Sequence, residues 1–103
     1  MSFERWGYNF EGAFANPESL PSGQGVYVIW CEPDQGEWPV LDVGESDDVR
    51  HRVITHERTE CWRRHCRGKI HYSATYTPGL TEEQRRNIEH EIRRLNNPPC
   101  GKE

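Results

Sequence analysis

Hydrophobic and polar positions along the chain predict three β-strands. Residues 25–31 read GVYVIWC, an apolar and β-branched run typical of a central strand that is buried on both faces. After a loop with proline, glycine and acidic residues, VLDV at 40–43 predicts a second strand that forms an antiparallel hairpin with the first. Residues 69–77 alternate apolar and polar side chains and predict a third strand.

The same pattern predicts three helices. One is expected over residues 47–57, directly after the second strand, and a shorter one over residues 59–66. Thr81 and Gln84 have the spacing of a capping box, which predicts that the last helix spans roughly residues 81–95. An asparagine-proline cluster ends this helix.

The element order β-β-α-α-β-α predicts an α+β fold, with a small three-stranded antiparallel sheet flanked by helices. Residues 1–22 contain aromatic side chains among glycine, proline and serine, without strict periodicity. We therefore predict an irregular lead-in over 1–22 that packs on a domain formed by residues 23–103. The chain has no apolar run near the roughly 18 residues of a membrane span. Its N-terminus also lacks an apolar signal region, so a cytoplasmic protein is expected.

Charge is distributed unevenly along this 103-residue chain. The net charge is −4, yet the segment from Arg50 to His71 carries seven basic and two acidic residues, so it has +5 against −9 for the rest. A basic face on an acidic body suits contact with phosphates, although a solvated helix surface gives the same pattern. We predict nucleic-acid contacts from the basic side chains of this segment, namely Arg50, Arg58, Arg63, Arg64, Arg67 and Lys69.

The four cysteines stand at positions 31, 61, 66 and 100. Without an export signal, reduced thiols are expected. A structural zinc site is the alternative, but the chain has no Cys-x-x-Cys pair. Such a site would need His65, His71 or Cys100 as a further ligand.

Arg52 and His56 lie one helical turn apart, on or beside the apolar stripe of the 47–57 helix. They are therefore expected half-buried at the edge of the sheet. An arginine in that place either pairs with an acid, for which Asp42 and Asp48 are candidates, or is held ready for an anion. Guanidinium presents a rigid fork to phosphate oxygens and stays charged at any working pH.

Tyr27 and Glu89 are further candidates. A tyrosine in a buried strand is most often a core residue, and a glutamate on a helix is most often a surface acid. A single carboxylate such as Glu89 can nevertheless recruit Mg²⁺, which keeps most of its waters.

These residues together resemble the GIY-YIG nuclease family. GVY at 25–27 and DVG at 42–44 are similar to its two short motifs, and Arg52 follows eight residues after Gly44, where the family carries its arginine. His56 matches a histidine that several branches carry. IEHEIRRLNNPPCG at the C-terminus resembles the closing helix, and its spacing to the proline turn selects Glu89 as the catalytic glutamate. The resemblance covers roughly residues 23–101.

The resemblance implies divalent-metal-dependent hydrolysis of a nucleic-acid phosphodiester, with DNA as the expected substrate. Tyr27 would accept a proton from the attacking water or orient that water. Arg52 would neutralise charge on the phosphoryl oxygens, and His56 would hydrogen-bond to water, phosphate or Tyr27. Glu89 would hold one Mg²⁺ or Mn²⁺ that steadies the leaving oxygen.

The sequence departs from the family pattern at three positions. Asp42 replaces the second motif's tyrosine and would serve as an extra metal ligand or bind Arg52. Glu45 stands where relatives often have a basic residue, and Gly101 stands where they have asparagine. Periodicity alone places Glu91 closer than Glu89 to the apolar face of the last helix.

Two other functions therefore stay open. The first is a catalytically inactive nucleic-acid-binding module of the same fold. The second is a protein-interaction domain whose basic face binds an acidic partner.

Overall fold

The computed structural model describes residues 1–101. Within them, the chain forms five strands and three α-helices, with one 3₁₀ turn at Pro17–Ser19. In chain order the elements are β1 (Ser2–Arg5), β2 (Tyr8–Phe14), β3 (Gly25–Glu32), β4 (Val40–Ser46), α1 (Val49–Ile54), α2 (Thr59–Arg64), β5 (Lys69–Tyr76) and α3 (Glu82–Asn96). From β3 onwards the elements follow the predicted order.

The five strands form one antiparallel sheet in the order β1-β2-β5-β3-β4. The prediction of a three-stranded sheet is therefore wrong, since the segment expected to be an irregular lead-in supplies two more strands. Strand β2 pairs with β5 and covers an edge that would otherwise expose unpaired backbone groups. The two-residue alternation of β2 is hard to read because Gly12 lies inside it and its register with β5 shifts between Glu11 and Phe14.

Strand β3 is central and buried on both faces, as predicted. Tyr27 and Ile29 point into a cluster with residues of α1 and α2, such as Val53 and Trp62. Val28 and its neighbours on the other face pack with α3 and β2. The sheet therefore has helices on both faces, and a cavity between α1 and α3 opens beside β4, an edge strand.

The helix ends follow from local capping. Asp48 caps α1 by accepting from the backbone N–H of His51 at 3.3 Å, and α1 ends at Ile54, three residues earlier than predicted. The predicted capping box of Thr81 and Gln84 starts α3.

All four cysteines are paired, so the expectation of reduced thiols is wrong for this structure. Cys31 is bonded to Cys66, and Cys61 is bonded to Cys100. Both bonds connect segments more than thirty residues apart and attach α2 or its end to other parts of the chain. Among residues 1–101, no helix combines the length and the apolar character that a membrane crossing requires.

Candidate active site at the edge of the sheet

A cavity of about 690 Å³ lies beside β4, between α1 and α3. Tyr27, Arg52 and Glu89, three residues distant in sequence, all line it. Its full lining consists of Tyr27, Gly44, Glu45, Arg52, Arg58, Arg86, Glu89, His90, Arg93 and Gly101. Four arginines and two glutamates line this cavity, so several guanidinium groups are close enough to contact an anionic ligand.

Tyr27 and Gly44 face each other across the β3–β4 pair. The phenol of Tyr27 lies directly over Gly44, and a Cβ at position 44 would overlap with the ring and with Oη. Glycine is thus required at position 44, inside β4, because it makes room for this tyrosine. This contact explains why the tyrosine of GVY and the glycine of DVG occur together.

His56 does not line the cavity but holds Tyr27 from behind. Its side chain is 5% exposed, and its Nε2 lies 2.6 Å from Tyr27 Oη. The backbone N–H of Arg58 donates to His56 Nδ1 at 3.1 Å, so Nδ1 is unprotonated. In the neutral ring Nε2 therefore carries the hydrogen and donates a hydrogen bond to Tyr27 Oη. The hydroxyl hydrogen of Tyr27 is then available for a different acceptor.

The pKa values of this pair fit the same arrangement. Burial, followed by the positive charges of Arg52 and Arg58, lowers the pKa of His56 to about 4. Burial and the nearby Asp42 raise the pKa of Tyr27 to about 12, although both arginines oppose the rise. At neutral pH the histidine is uncharged and the tyrosine keeps its proton, so Tyr27 is a hydrogen-bond donor in this state.

Arg52 pairs with Glu57, rather than with the predicted partners Asp42 or Asp48. Two hydrogen bonds, of 2.6 and 2.9 Å, join the guanidinium to the carboxylate. This pairing raises the pKa of Arg52 and lowers the pKa of Glu57 to about 2. The Glu57 side chain is 63% exposed, so the pair lies at the solvent side of the cavity.

Asp42 is fully buried and organises the inner wall of the cavity. It accepts from Arg58 Nε at 2.7 Å, from Arg93 Nη2 at 2.6 Å and from Trp62 Nε1 at 2.8 Å, and its own chain neighbour Val43 N donates to it as well. The sequence suggested that Asp42 binds Arg52 or a metal ion. In the structure it binds Arg58 and Arg93 instead of Arg52. Its oxygens are occupied by these donors, which leaves it poorly suited as an extra metal ligand.

Gly101 closes the cavity beside these arginines. A Cβ at position 101 would overlap with Arg93 Nη2 and lie 2.8 Å from Asp42 Oδ1, and the backbone φ of +76° also favours glycine. The asparagine of related motifs has no space here because Arg93 occupies it.

Glu89 reaches the cavity from α3, together with two arginines and a histidine that the sequence interpretation missed. Arg86, His90 and Arg93 also line the wall, and Arg93 Nε donates to Glu89 Oε2 at 3.2 Å. The sequence spacing could have indicated Arg86 and Arg93, since positions 86, 89 and 93 are three and four residues apart and share one face of the helix. Glu91 lies elsewhere and accepts from Tyr8 Oη at 2.6 Å, so the choice of Glu89 over Glu91 agrees with the position of the cavity.

Glu45, the second acid of the lining, is neutralised by α3. Arg85 Nε donates to it at 3.0 Å, and Arg86 lies 3.8 Å away. Arg85 is itself 7% exposed and the Glu45 side chain is 16% exposed, so the pair is partly buried. The basic residue expected at position 45 is thus replaced by arginines from another element.

The six predicted nucleic-acid contacts do not form one surface around the cavity, and only Arg58 lines it. Arg50 is exposed and donates to the backbone oxygen of Glu18 at 3.0 Å, and the exposed Arg63 pairs with Glu60. Lys69 lies opposite Glu32 in the β3–β5 pair. Glu32 is five residues beyond Tyr27 along β3, so Lys69 lies about 17 Å along the sheet from the tyrosine. The exposed side chains of Arg64 and Arg67 are also outside the lining.

The donor set offers limited support for a divalent metal. Glu89 supplies the hard carboxylate oxygen that Mg²⁺ and Mn²⁺ accept, and Mg²⁺ is commonly held by one or two carboxylates together with substrate phosphates. Glu45 is committed to Arg85 and Arg86. Glu89 therefore fits one ion that is completed by water and phosphate oxygens.

No protein-family model, curated protein or solved structure matches this chain significantly. The resemblance to GIY-YIG nucleases therefore rests on the motif residues alone.

Proposed function

We propose that this protein is a divalent-metal-dependent endonuclease that hydrolyses a phosphodiester of a nucleic acid, with DNA as the expected substrate. The observation that carries the proposal is the convergence of Tyr27, Arg52 and Glu89 on one cavity lined by four arginines. A phenol, a guanidinium and a carboxylate are the groups that the family resemblance requires at one phosphate.

In this proposal each side chain of the cavity has a role. Arg52 exchanges its exposed partner Glu57 for a phosphoryl oxygen, where its charge stabilises the transition state. Tyr27 is protonated at neutral pH, so it orients the attacking water or donates to phosphate instead of acting as the base. His56 fixes the direction of the Tyr27 hydroxyl from behind.

Glu89 would hold the Mg²⁺ or Mn²⁺ ion, and Arg93 orients its carboxylate through the hydrogen bond from Nε. When bound, such an ion lowers the pKa of water and stabilises the leaving oxygen. Arg58 and Arg93 would stay in the inner wall beside the phosphate while they remain bound to Asp42.

The test is cleavage of duplex, single-stranded, flap and branched DNA with Mg²⁺ or Mn²⁺. Arg52→Ala and Glu89→Gln are expected to lower the cleavage rate by about 100-fold or more, the order seen when a transition-state charge partner is removed. Arg50→Ala and Glu91→Gln are the matched controls, because both residues lie outside the cavity on the same two helices. Equal losses in the controls, or absence of cleavage on every substrate, would exclude the nuclease.

One observation favours a second function, a catalytically inactive nucleic-acid-binding module. Arg93 already pairs with Glu89, so the only acid proposed to hold the metal is partly neutralised by the protein. This module predicts salt-sensitive binding without cleavage, with log affinity falling linearly as log salt rises. Metal-dependent cleavage that Arg52→Ala removes would exclude it.

The cytoplasmic location expected from the sequence is also only a proposal, and the two disulfides argue against it. Disulfides persist in oxidising compartments and are rare in the cytosol. The oxidation state of the four cysteines in the cell decides this question.

A further inference from the structure

Two cysteines and a histidine form a compact cluster outside the cavity. His65 Nδ1 lies 3.6 Å from Cys61 Sγ and 3.9 Å from Cys100 Sγ, and the three ligand atoms lie within 4.8 Å of one another. In this structure the two sulfurs are bonded to each other. The cluster contains the soft and borderline ligands that zinc prefers.

The distances match a zinc site. With Zn–S bonds of about 2.3 Å and a Zn–N bond of about 2.0 Å, tetrahedral geometry places each sulfur about 3.6 Å from the nitrogen. The observed separations of 3.6 and 3.9 Å already have this size. The remaining change is for the two sulfurs to move apart to about 3.8 Å, which opening the disulfide permits.

The backbone holds the ligands near one another independently of the disulfide. Cys61 and His65 are one turn apart at the C-terminal end of α2. The N–H of Cys100 donates to the backbone oxygen of Leu41 at 3.0 Å, and Arg93 Nη1 donates to the Cys100 oxygen at 3.0 Å. These bonds keep Cys100 next to α2 after the sulfurs separate.

We infer that Cys61, His65 and Cys100 bind Zn²⁺ in the reduced protein and that the same two cysteines form the disulfide in the oxidised protein. The reductant is a thiol or a phosphine. A dithiol gives two electrons and two protons to the S–S bond and closes into its own disulfide, which leaves two cysteine thiols. Zn²⁺ then displaces both thiol protons and bonds to the two thiolates and to His65 Nδ1.

The histidine needs one rearrangement. Its Nδ1 lies 2.9 Å from the backbone oxygen of Cys61, to which it donates. On metal binding, Nδ1 gives up this contact and the neutral ring carries its proton on Nε2. Because His65 is exposed, the fourth zinc position faces solvent, where a water molecule completes the tetrahedron.

This site connects the redox state to the cavity. Both the disulfide and the zinc ion would tie α2 to Cys100 and so to the adjacent Gly101, which lines the cavity beside Asp42. In a reducing compartment the zinc form would maintain this connection in place of the disulfide. The inference does not depend on nuclease activity.

The test uses the full chain reduced by a water-soluble phosphine, which takes its oxygen from water as the disulfide becomes two thiols. After the phosphine is removed, the protein is titrated with Zn²⁺ against a chromophoric zinc indicator. One zinc per chain is expected for the reduced protein and none for the oxidised protein. With Co²⁺, thiolate-to-metal charge transfer and tetrahedral d–d absorption are expected.

Variants identify the ligands. His65→Ala is expected to weaken zinc affinity at least about tenfold, and Cys61→Ser and Cys100→Ser are expected to do the same. His71→Ala and the double variant Cys31→Ser/Cys66→Ser are the matched controls and are expected to keep the site. Circular dichroism checks that His65→Ala, which changes an exposed residue, remains folded.

Three results would overturn the inference. The first is a reduced protein that takes up no zinc. The second is equal zinc affinity in His65→Ala and His71→Ala. The third is zinc uptake that the Cys31/Cys66 double variant loses while Cys61→Ser keeps it.

Discussion

Asp42 and Glu57 both hold arginines at the cavity, and the two carboxylates differ in their access to water. Asp42, Arg58 and Arg93 form an inner set around a carboxylate that is fully buried. Arg52 and Glu57 form an outer pair whose carboxylate is 63% exposed. Both arrangements have short hydrogen bonds, so distance alone does not separate them.

The difference in burial indicates which arginine is available for a ligand. An exposed ion pair contributes about 0–1 kcal/mol, and a phosphate competes with it easily. Breaking a buried pair by removing one partner costs about 3–5 kcal/mol, because charge is left uncompensated. The inner set is therefore a scaffold, and Arg52 is a lining cation that can exchange its partner for a ligand.

The largest expected effect comes from removing the charge of the inner set. Asp42→Asn keeps the side-chain shape but leaves Arg58 and Arg93 without their carboxylate, and its amide group opposes the donors around it. We expect the free energy of unfolding to fall by about 3 kcal/mol or more. Urea denaturation followed by tryptophan fluorescence measures this change.

Asp47→Asn is the matched control, since Asp47 is an exposed acid on the connection that follows β4. Its effect is expected to stay within about 0.5 kcal/mol. If Asp42→Asn lost less than about 1 kcal/mol, the distinction between the inner set and the outer pair would be wrong.

The second prediction is that the protein loses stability at acid pH because His56, behind Tyr27, is buried in its neutral form. The pKa of His56 is lowered to about 4 from 6.5, so the unfolded chain binds its proton first. Above pH 6.5 the neutral His56 causes no loss in the free energy of unfolding. As the pH falls from 6.5 towards 4, protonation of this histidine in the unfolded chain lowers that free energy by about 3 kcal/mol in total. Glu57 loses its contribution below that window, as the pH falls from 4.5 to about 2.

Denaturation midpoints measured between pH 4 and 6.5 check this prediction. His56→Gln should flatten the slope in this window, whereas His51→Gln, at an exposed position, should leave it unchanged. An unchanged slope in His56→Gln would mean that another group causes the acid sensitivity.

A third, smaller effect is expected at the junction between the inner wall and Tyr27. Gly44→Ala inserts a methyl group against the phenol, which should destabilise the fold by about 1–3 kcal/mol. Tyr27→Ala removes the ring that the methyl group would overlap, so Gly44→Ala should be less destabilising in that background. Thermal denaturation of the two single variants and the double variant measures the coupling. Additive effects would contradict the close approach.

The elements that the sequence predicts well are those with strong local signals. The apolar run of β3 and the capping box of α3 depend on neighbouring residues, and both are found where expected. Strand β1 pairs locally with β2, and only the pairing of β2 with β5, about sixty residues away, joins this hairpin to the rest of the sheet. Local periodicity carries little information about such an edge.

The candidate site divides in a similar way. The positions of Tyr27, Arg52 and Glu89 follow from motif spacing, whereas their partners do not. Asp42 binds an arginine sixteen residues away and another fifty-one residues away, and a sequence offers many acids for each arginine. Disulfide pairing has the same limitation, since four cysteines allow three arrangements and the fully reduced state besides.

The smallest stability effect is expected at the outer pair, where binding changes instead. Glu57→Gln removes the carboxylate that holds Arg52, and the free energy of unfolding should change by less than about 1 kcal/mol. The same variant should bind DNA more tightly, by roughly three- to fivefold, because phosphate no longer competes with an anion for Arg52. Fluorescence anisotropy in a Glu89→Gln background, which is not expected to cleave, measures the affinity.

Glu60→Gln separates this effect from a change in net charge. Glu60 pairs with Arg63 on α2, outside the cavity, and its loss raises the net charge by the same amount. A specific role of Arg52 requires that Glu57→Gln increase the affinity more than Glu60→Gln does, and that Arg52→Ala abolish the difference. Equal gains in the two variants would make Arg52 one surface charge among several, and the outer pair would then have no special relation to phosphate.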